Sequence, residues 1–512
     1  MLQSKEDGGC LDAVYYVEGN VKAFRMAENE GNYDEEQYYR SQMVPAVIEP
    51  TSMRMIQRPR VGLREALYTL RKRTAQVYET YLPGEESGIL AAMTLGEKRD
   101  LSKEAKNLFQ DTGISHILAI SGLHISLVGM LVFRRLRKRM SNLPAAIITT
   151  VAVLGYGMLT GSSVSTNRAV GMFLLLLIAT VFGRSYDLLT ALAIMSIVLL
   201  WQNPYAYQQI GFAFSFVAIL GVVMVAQPMQ QTYDSLCDFR WRTHHRMDHG
   251  KRFHKNAKEV VFSALIAGTG MQLVTIPLCA YFFFGFPTYV VCLNLLVLPV
   301  LGVLISTGLL AGFLGGLVGA IWGLQSWIAI LFFPCHWILY FYEVLCDHTL
   351  NLPAARMIVG RPMWWQVLLY YGILLGVVWG IQLLVKQHLE PKWKRARHYR
   401  KKQVSRWVIR YVATLSLALL PCFAVISYSS KGFEIDMLSV GQGDGIYIQS
   451  PEGVDFFIDG GSSSKKQVGE YVIGPFLEYH GVNRIDYWFV THPDEDHVNG
   501  LMELIGGDIQ IR

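Results

Sequence analysis

The stretch LNLLVLPVLGVLISTGLLAGFLGGLVG, Leu293 to Gly319, contains no charged side chain. Where water is absent, backbone N–H and C=O groups are satisfied only within a helix or a closed barrel, and about 20 apolar residues of helix cross about 30 Å of hydrocarbon. The stretch is long for one crossing and carries Pro299 and several glycines, so it is expected to be broken or re-entrant. Working outward from it, apolar segments recur at 115–133, 145–161, 164–183, 187–201, 209–227, 260–284, 288–317, 320–346, 364–385 and 407–427. The fold class that follows is a polytopic α-helical membrane protein of about ten spans.

Composition agrees. With 52% hydrophobic and 17% charged residues and a mean hydropathy of +0.28, the chain is too apolar for a soluble protein of 512 residues. Its 46 Gly and 11 Trp suit helices that pack closely and anchor at interfaces. The first twenty residues are polar and charged, so insertion is expected to rely on internal segments. Seven Cys are scattered without a CxxC pair; Cys279, Cys292, Cys335, Cys346 and Cys422 lie in or beside apolar segments and read as small packing residues. Residues 60–82 place Leu63, Leu67, Leu70, Val77 and Tyr81 among Arg and Lys, as in an amphipathic helix lying on a membrane or packed on a domain.

Three basic clusters set the orientation: 134–139, 239–258 and Lys386 to Arg406. About four spans separate each from the next, so all three fall on the cytoplasmic side, and both terminal regions fall on the outer face. Juxtamembrane placement favours topology and anionic-lipid contact over a nucleic-acid patch for these runs.

Near the C-terminus, THPDEDHVNGL, Thr491 to Leu501, continues from the near-continuous apolar run IDYWFVT, Ile485 to Thr491. His492, Asp494, Asp496 and His497 alternate, so imidazole nitrogens and carboxylate oxygens can converge on one or two divalent metals, zinc or manganese. The preceding run reads as a buried strand. Asp459, ending the strand DFFID ahead of Gly460-Gly461, is expected to orient His492 through its second ring nitrogen. A second constellation is SHILAISGLHISLVGML, Ser115 to Leu131: His116 and His124 with Ser121-Gly122 between them. Such groups in an apolar helix face a bundle interior or a water-filled cavity, or else sit at the headgroup boundary and bond a neighbouring helix.

His-x-Asp-x-Asp-His followed by Asn-Gly resembles the metallo-β-lactamase superfamily signature. SVGQGDG (Ser439 to Gly445), LFQDTGISHILAISGLHI and GILAAMTLGEKRDLS (Gly88 to Ser102) resemble the ComEC family of bacterial DNA-internalisation proteins. STNRAVGMFLLLL, with Asn167 and Arg168 opening a span, NPYAYQQIGFAFSFVAILG (Asn203 to Gly221) and the N-terminal AENEGNYDEEQYYRSQM are similar to further segments of that family. The resemblance implies a remnant of an external OB-like domain over 1–58, amphipathic and interfacial helices over 59–114, a transmembrane competence domain over 115–427, and a truncated αβ metallo-β-lactamase-like domain over 431–512.

It also implies His492 and Asp494 on one ion and Asp496 and His497 on a second, with Asp494 standing where the superfamily more usually has His. His116, Ser121, Gly122, His124, Asn167 and Arg168 become candidates for a transport path. The function implied is passage of single-stranded DNA across the bacterial inner membrane during natural transformation, with an external metal-dependent nuclease-like domain that is incomplete in this sequence. The implied partners are single-stranded DNA, the lipid bilayer, a DNA receptor, an ATP-driven helicase and a second copy of the chain. A membrane-anchored metallohydrolase of a small or lipid substrate, and a small-solute transporter, stand as rival readings.

Overall fold

The computed structural model describes residues 13–57, 62–244, 257–318, 325–393, 432–507 and 509–512. In chain order the elements are β1 (Val14–Lys22), α1 (Glu35–Ser41), β2 (Val47–Gln57), α2 (Leu63–Tyr81), α3 (Gly84–Leu95), α4 (Lys103–Asp111), α5 (Gly122–Arg137), α6 (Asn142–Leu159), α7 (Val164–Val181) and α8 (Leu188–Gln202). Then come α9 (Ile210–Gly221), α10 (Gln227–His244), α11 (Ala257–Phe283), β3 (Gly285–Pro287), α12 (Val290–Val318), α13 (Gln325–Leu350), β4 (Arg356–Ile358) and α14 (Trp364–Trp393). The C-terminal region adds β5 (Glu434–Met437), β6 (Gly445–Gln449), β7 (Asp455–Asp459), α15 (Gly474–Tyr479), β8 (Arg484–Ile485), β9 (Tyr487–Phe489), α16 (Glu495–Leu504) and β10 (Gln510–Ile511).

Among the described residues, seven helices are long and apolar enough to cross a membrane: Asn142–Leu159, Val164–Val181, Ile210–Ser235, Glu259–Phe283, Val290–Leu317, Trp327–Leu350 and Trp364–Leu383. They coincide with seven of the ten apolar segments, and the chain is a multi-pass membrane protein. Segment 407–427 and much of the basic clusters 239–258 and 386–406 lie outside the described residues. Segment 187–201 forms the shorter α8. Segment 115–133 is not one helix: a 3-10 turn covers Ser115–Ile117 and α5 starts only at Gly122, capped by Ser121. Gly122 loosens the backbone and Ser121 offers a side-chain acceptor to the helix N–H groups, so the sequence restarts the helix there.

The stretch expected to break does not. α12 runs unbroken from Val290 to Val318 with Pro299 inside it. A proline removes one helical hydrogen bond and bends the axis, which a long helix absorbs. The glycines of α12 serve packing instead: a Cβ at Gly308 would press on Leu90, at Gly312 on Thr74 and Tyr78, and at Gly315 on Val77. This bare face lets α2 and α3 approach closely. The amphipathic reading of 60–82 is α2, with Thr74 and Tyr78 buried, and the Tyr78 hydroxyl donates to the Gly308 carbonyl at 3.2 Å.

The chain divides into two compact units: Met1–Arg25, Glu35–Phe216 and Cys292–Ala355, and Met26–Asp34, Val217–Val291 and Arg356–Arg512. The first contains the antiparallel pair β1–β2, with Lys22 opposite Val47, and α2 to α8 with α12 and α13. In the second, α11 carries Pro277, which leaves the Leu273 carbonyl without its helical donor. The Tyr370 hydroxyl of α14 donates to that carbonyl at 2.8 Å, and Tyr371 donates to Val274 O at 2.8 Å.

The second unit also holds a four-stranded sheet in the order β5-β6-β7-β9, antiparallel except for the parallel β7–β9 pair. One face builds a core of Leu438, Val440, Tyr447, Phe457, Ile473, Phe476 and Leu477. β9 is shorter and less buried than the strand expected over Ile485–Thr491: Trp488 stacks on Phe457 at 4.4 Å, while Tyr487 and Phe489 are exposed and stack on Phe456. Alternation decides this, because successive strand residues face opposite sides and only the Trp488 side meets the core. The region is tied to the end of α11: Arg356 makes a two-point bond to Glu478, both contacts 2.8 Å, and the Arg361 guanidinium lies 4.5 Å from the Tyr281 ring.

Candidate functional site

β7 ends on Asp459, whose backbone is left-handed at φ +59, a conformation that a short polar side chain tolerates. The next two residues make a turn only glycine allows. A Cβ at Gly461 would strike the Asp496 carbonyl and the His497 amide, and one at Gly443, itself at φ +152, would strike the carbonyls of Gly461 and Asp496. The two glycine turns thereby close around the first turn of α16. Asn499 fastens them: its Nδ2 donates to Ser462 O at 2.8 Å and its Oδ1 accepts from Ser462 N at 3.0 Å. Gly500 lies bare against the Gly460 carbonyl, so the Asn-Gly after the ligand motif is the joint between helix and turn.

Asp459 is 3% exposed. It accepts from Thr491 N at 2.7 Å and from Thr491 Oγ1 at 2.8 Å, and its Oδ2 lies 3.1 Å from His497 Nδ1. Burial pushes the Asp459 carboxyl up, and the bonds from Thr491 and His497 together outweigh it, so it sits below the usual carboxylate value. The bond to Asp459 raises the His497 imidazole; partial burial opposes this, and the charges of Asp459, Asp496 and Asp444 add to it. Asp444, Asp459 and His497 each offer one atom to a cluster whose members all lie within 4.8 Å of one another. Two carboxylate oxygens and one imidazole nitrogen suit zinc or manganese, so the donor set fits a divalent ion.

The sequence alternation does not survive into this geometry. α16 begins at Glu495, so Asp496 and His497 project with a helical rather than an extended period. His497 meets Asp459 and Asp444, whereas His492 and Asp494 are exposed. The His492 ring centre lies 6.0 Å from that of His497, Asp494 stands at the N-cap with its carbonyl accepting from His497 N at 2.9 Å, and Asp496 Oδ1 is 4.0 Å from His497 Nε2. The expectation for Asp459 needs correcting: its imidazole partner is His497, not His492. Asp444 was missed; the signal that could have found it is a carboxylate following Gly441 and Gly443, the two turn glycines that aim it at the Asp459 turn.

A loop far back in sequence supports this wall. Asn29 Oδ1 accepts from Ser439 N at 2.7 Å and Asn29 Nδ2 donates to Ser439 O at 3.3 Å. Glu28 pairs with Lys465 Nζ at 2.7 Å and accepts from Ser439 Oγ at 2.8 Å. Asn32 Nδ2 donates to Val472 O at 2.9 Å, and Gly31, at φ +76, lies bare against Pro475 and Tyr479.

The membrane motif lies in the first unit. Ser121 caps α5, its Oγ accepting from Leu123 N at 3.3 Å, and His124 Nδ1 accepts from Ser121 N at 3.2 Å. The tautomer this bond selects puts the proton on His124 Nε2, which is buried without a partner among the described residues. Arg168, 6% exposed, reaches Met172 Sδ from Nη1 at 3.7 Å, leaves Nε without a partner among the described residues, and lies 6.0 Å from the Phe216 ring. A Cβ on Gly122 would be 3.8 Å from Arg168 Nη2. Ser121, Gly122, His124 and Arg168 thus share one interior region or its cap. His116 is exposed in its turn, and Asn167 is engaged locally, donating to Ser162 O at 3.0 Å.

Buried polar groups within apolar helices, together with a separate acidic-imidazole cluster on a sheet end, define a multi-pass membrane protein with two polar sites. The chain belongs to the Competence protein family, whose family model matches residues 93–386, more than half of the sequence. It is 26% identical to ComE operon protein 3 of Bacillus subtilis, over 96% of this chain and 60% of that protein. It is 24% identical to Recombination protein 2 of Haemophilus influenzae, over 97% of this chain and 61% of that one. A shorter match of 146 residues, 31% identical, links 27% of the chain to 21% of the competence protein ComA of Neisseria gonorrhoeae. The chain spans about three fifths of the length of the first two relatives. No solved structure matches it.

Proposed function

We propose that this protein carries single-stranded DNA across the bacterial inner membrane during natural transformation. The observation that carries the reading is the inward placement of the motif within the family's region: His124 and Arg168 are buried, and among the described residues no carboxylate pairs with either. A polyanion crosses hydrocarbon only along a polar and preferably cationic lining. Relatives named as a competence protein and a recombination protein agree with this. In the same reading the basic stretch Arg134 to Arg139 faces the cytoplasm, a receptor delivers the DNA, and an ATP-driven helicase draws it inward.

The terminal regions are assigned to the outer face, with 13–57 as part of an OB-like domain and 432–512 as metallo-β-lactamase-like. A divalent ion, zinc or manganese, would be held by Asp444, Asp459 and His497, with His492, Asp494 and Asp496 at the rim. When bound, such an ion polarises a phosphoryl oxygen and activates water, the chemistry needed to degrade the excluded strand. The chain's own part is to fix the His497 ring through Asp459 and to hold the two glycine turns against α16.

The test is uptake of labelled duplex DNA in a strain lacking its own importer, with this chain expressed alone and within the longer polypeptide of a relative. Protected internal single strands that disappear on His124→Ala support the reading. A protein that inserts in the membrane and imports nothing, yet cleaves a substrate other than nucleic acid in a His497-dependent way, replaces it with a membrane-anchored metallohydrolase.

A further inference from the structure

Arg168 poses a problem that no described residue of the protein solves. A charge removed from water is destabilising by several kcal/mol unless it is paired. The residue is 6% exposed, and among the described residues its polar contacts are a thioether and, at 6.0 Å, an aromatic ring. Its ionisable neighbour is Tyr186, a phenol that burial pushes up and that carries no charge at neutral pH. Beside it stands the N-terminus of α5, a helix of 16 residues whose Leu123 and His124 N–H groups are already taken by the Ser121 side chain, so that it offers the Gly122 N–H and the positive end of the helix dipole. At Gly122, the first residue of that helix, an added Cβ would touch Arg168 Nη2 at 3.8 Å and Ala169 Cβ at 3.9 Å, the described atoms within 4 Å outside the helix's own backbone and the adjoining residues. Glycine therefore leaves no side chain between the guanidinium and the helix end. In the same turn His124 Nε2 is a second buried donor without an acceptor among the described residues.

We infer that the N-terminus of α5 and the Arg168 guanidinium form one binding site for a phosphodiester of the transported strand. This rests on the import reading and names the element that holds the anion. Two donor types converge: helix N-termini accept anions through backbone N–H groups, and an arginine presents a planar fork matched to two phosphate oxygens. Glycine at the helix start admits the anion close to the backbone. A DNA strand fits better than a lipid headgroup because Arg168 is buried within its unit rather than at its surface.

The test uses the full chain in nanodiscs of neutral phosphatidylcholine, with a fluorescein-labelled oligothymidylate followed by anisotropy across a salt series. Arg168→Gln is expected to weaken binding about tenfold and to lower the slope of log affinity against log salt by about 0.7, the value for one phosphate contact on a single strand. Gly122→Val, which fills the space and keeps the charge, is expected to weaken binding as well. Because Arg168→Gln removes an unpaired buried charge, a folded protein with an unlowered melting temperature is expected. Equal affinity and slope in wild type and both variants overturn the site and leave the import reading standing. Absence of binding by wild type overturns the import reading and the site with it. If phosphatidylglycerol in the nanodiscs displaces the strand, and its own retention depends on Arg168, the site is a lipid headgroup site and the inference fails.

Discussion

Asp459 and Arg168 are both charged and both nearly inaccessible, at 3% and 6% exposure, but their surroundings differ in kind. Around Asp459 the account is closed: Thr491 supplies two donors, His497 a third contact, and the turn that carries them is pinned by Asn499. Around Arg168 it is open, with a guanidinium Nε and, one turn into α5, His124 Nε2 lacking acceptors among the described residues. A closed cluster holds its geometry before any ligand arrives, which is what a metal or catalytic centre requires. An open one is a stored penalty that only an anion from outside relieves, and that is the property of a path rather than of a centre. The two sites should therefore answer opposite ways when their charges are removed.

The largest effect is expected at Asp459. Asp459→Ala leaves the Thr491 donors and the His497 ring without their acceptor, and should lower the stability of the C-terminal region by about 3 kcal/mol. The milder Asp459→Asn should weaken zinc or manganese binding by about 10 to 100-fold, as loss of a group that ligates or orients a ligand does. Competition against a chromophoric chelator measures the second effect. Unchanged affinity in Asp459→Asn would mean that any bound ion sits elsewhere, for instance on the exposed His492 and Asp494.

Arg168→Leu is expected to go the other way. In the absence of DNA it should raise the melting temperature of the membrane unit, corresponding to about 2 kcal/mol of added stability, because an uncompensated charge is exchanged for an apolar side chain. A clear loss of stability would break the comparison, since it would show that an interaction inside the protein already balances the charge. Between these extremes lies a satisfied polar contact inside the membrane helices. Tyr370→Phe removes the hydroxyl that serves the Leu273 carbonyl freed by Pro277, and about 1 kcal/mol should be lost in thermal unfolding. A zero effect would mean that water replaces the hydroxyl.

Hydropathy alone made the membrane helices legible, because seven of the apolar segments are long enough that no other structure satisfies their backbones. It misjudged 288–317 by expecting Gly and Pro to break the helix, and 115–133 by passing over Ser121-Gly122. The effect of such residues depends on what they face. Gly312 is a packing surface for Tyr78 inside an unbroken helix, and Gly122 stands at a true helix start. The donor cluster was half legible. His497 was found through its motif, but Asp444 reaches it from a separate turn, and sequence spacing carries no information about two turns that meet only through the folded sheet. The loop at Glu28 and Asn29 lay beyond sequence reading for the same reason, being more than 400 positions from Ser439.

That loop gives the smallest effect and the finest discrimination. Glu28 and Lys465 are partly solvent-exposed, so their pair is worth about 0.5 kcal/mol at most in stability. Yet Lys465 also donates to Ser439 O at 2.8 Å, and Ser439 precedes the glycine turn that carries Asp444. If the Asp459 cluster is closed because its walls are held from outside, Glu28→Lys should weaken divalent-metal affinity two- to threefold, about 0.5 kcal/mol, and the double exchange Glu28→Lys with Lys465→Glu should restore part of it. A double exchange no better than the sum of its parts would show that the cluster is held by Asn499 and the glycine turns alone. The loop at residues 26–34 would then be a docking contact without influence on the site.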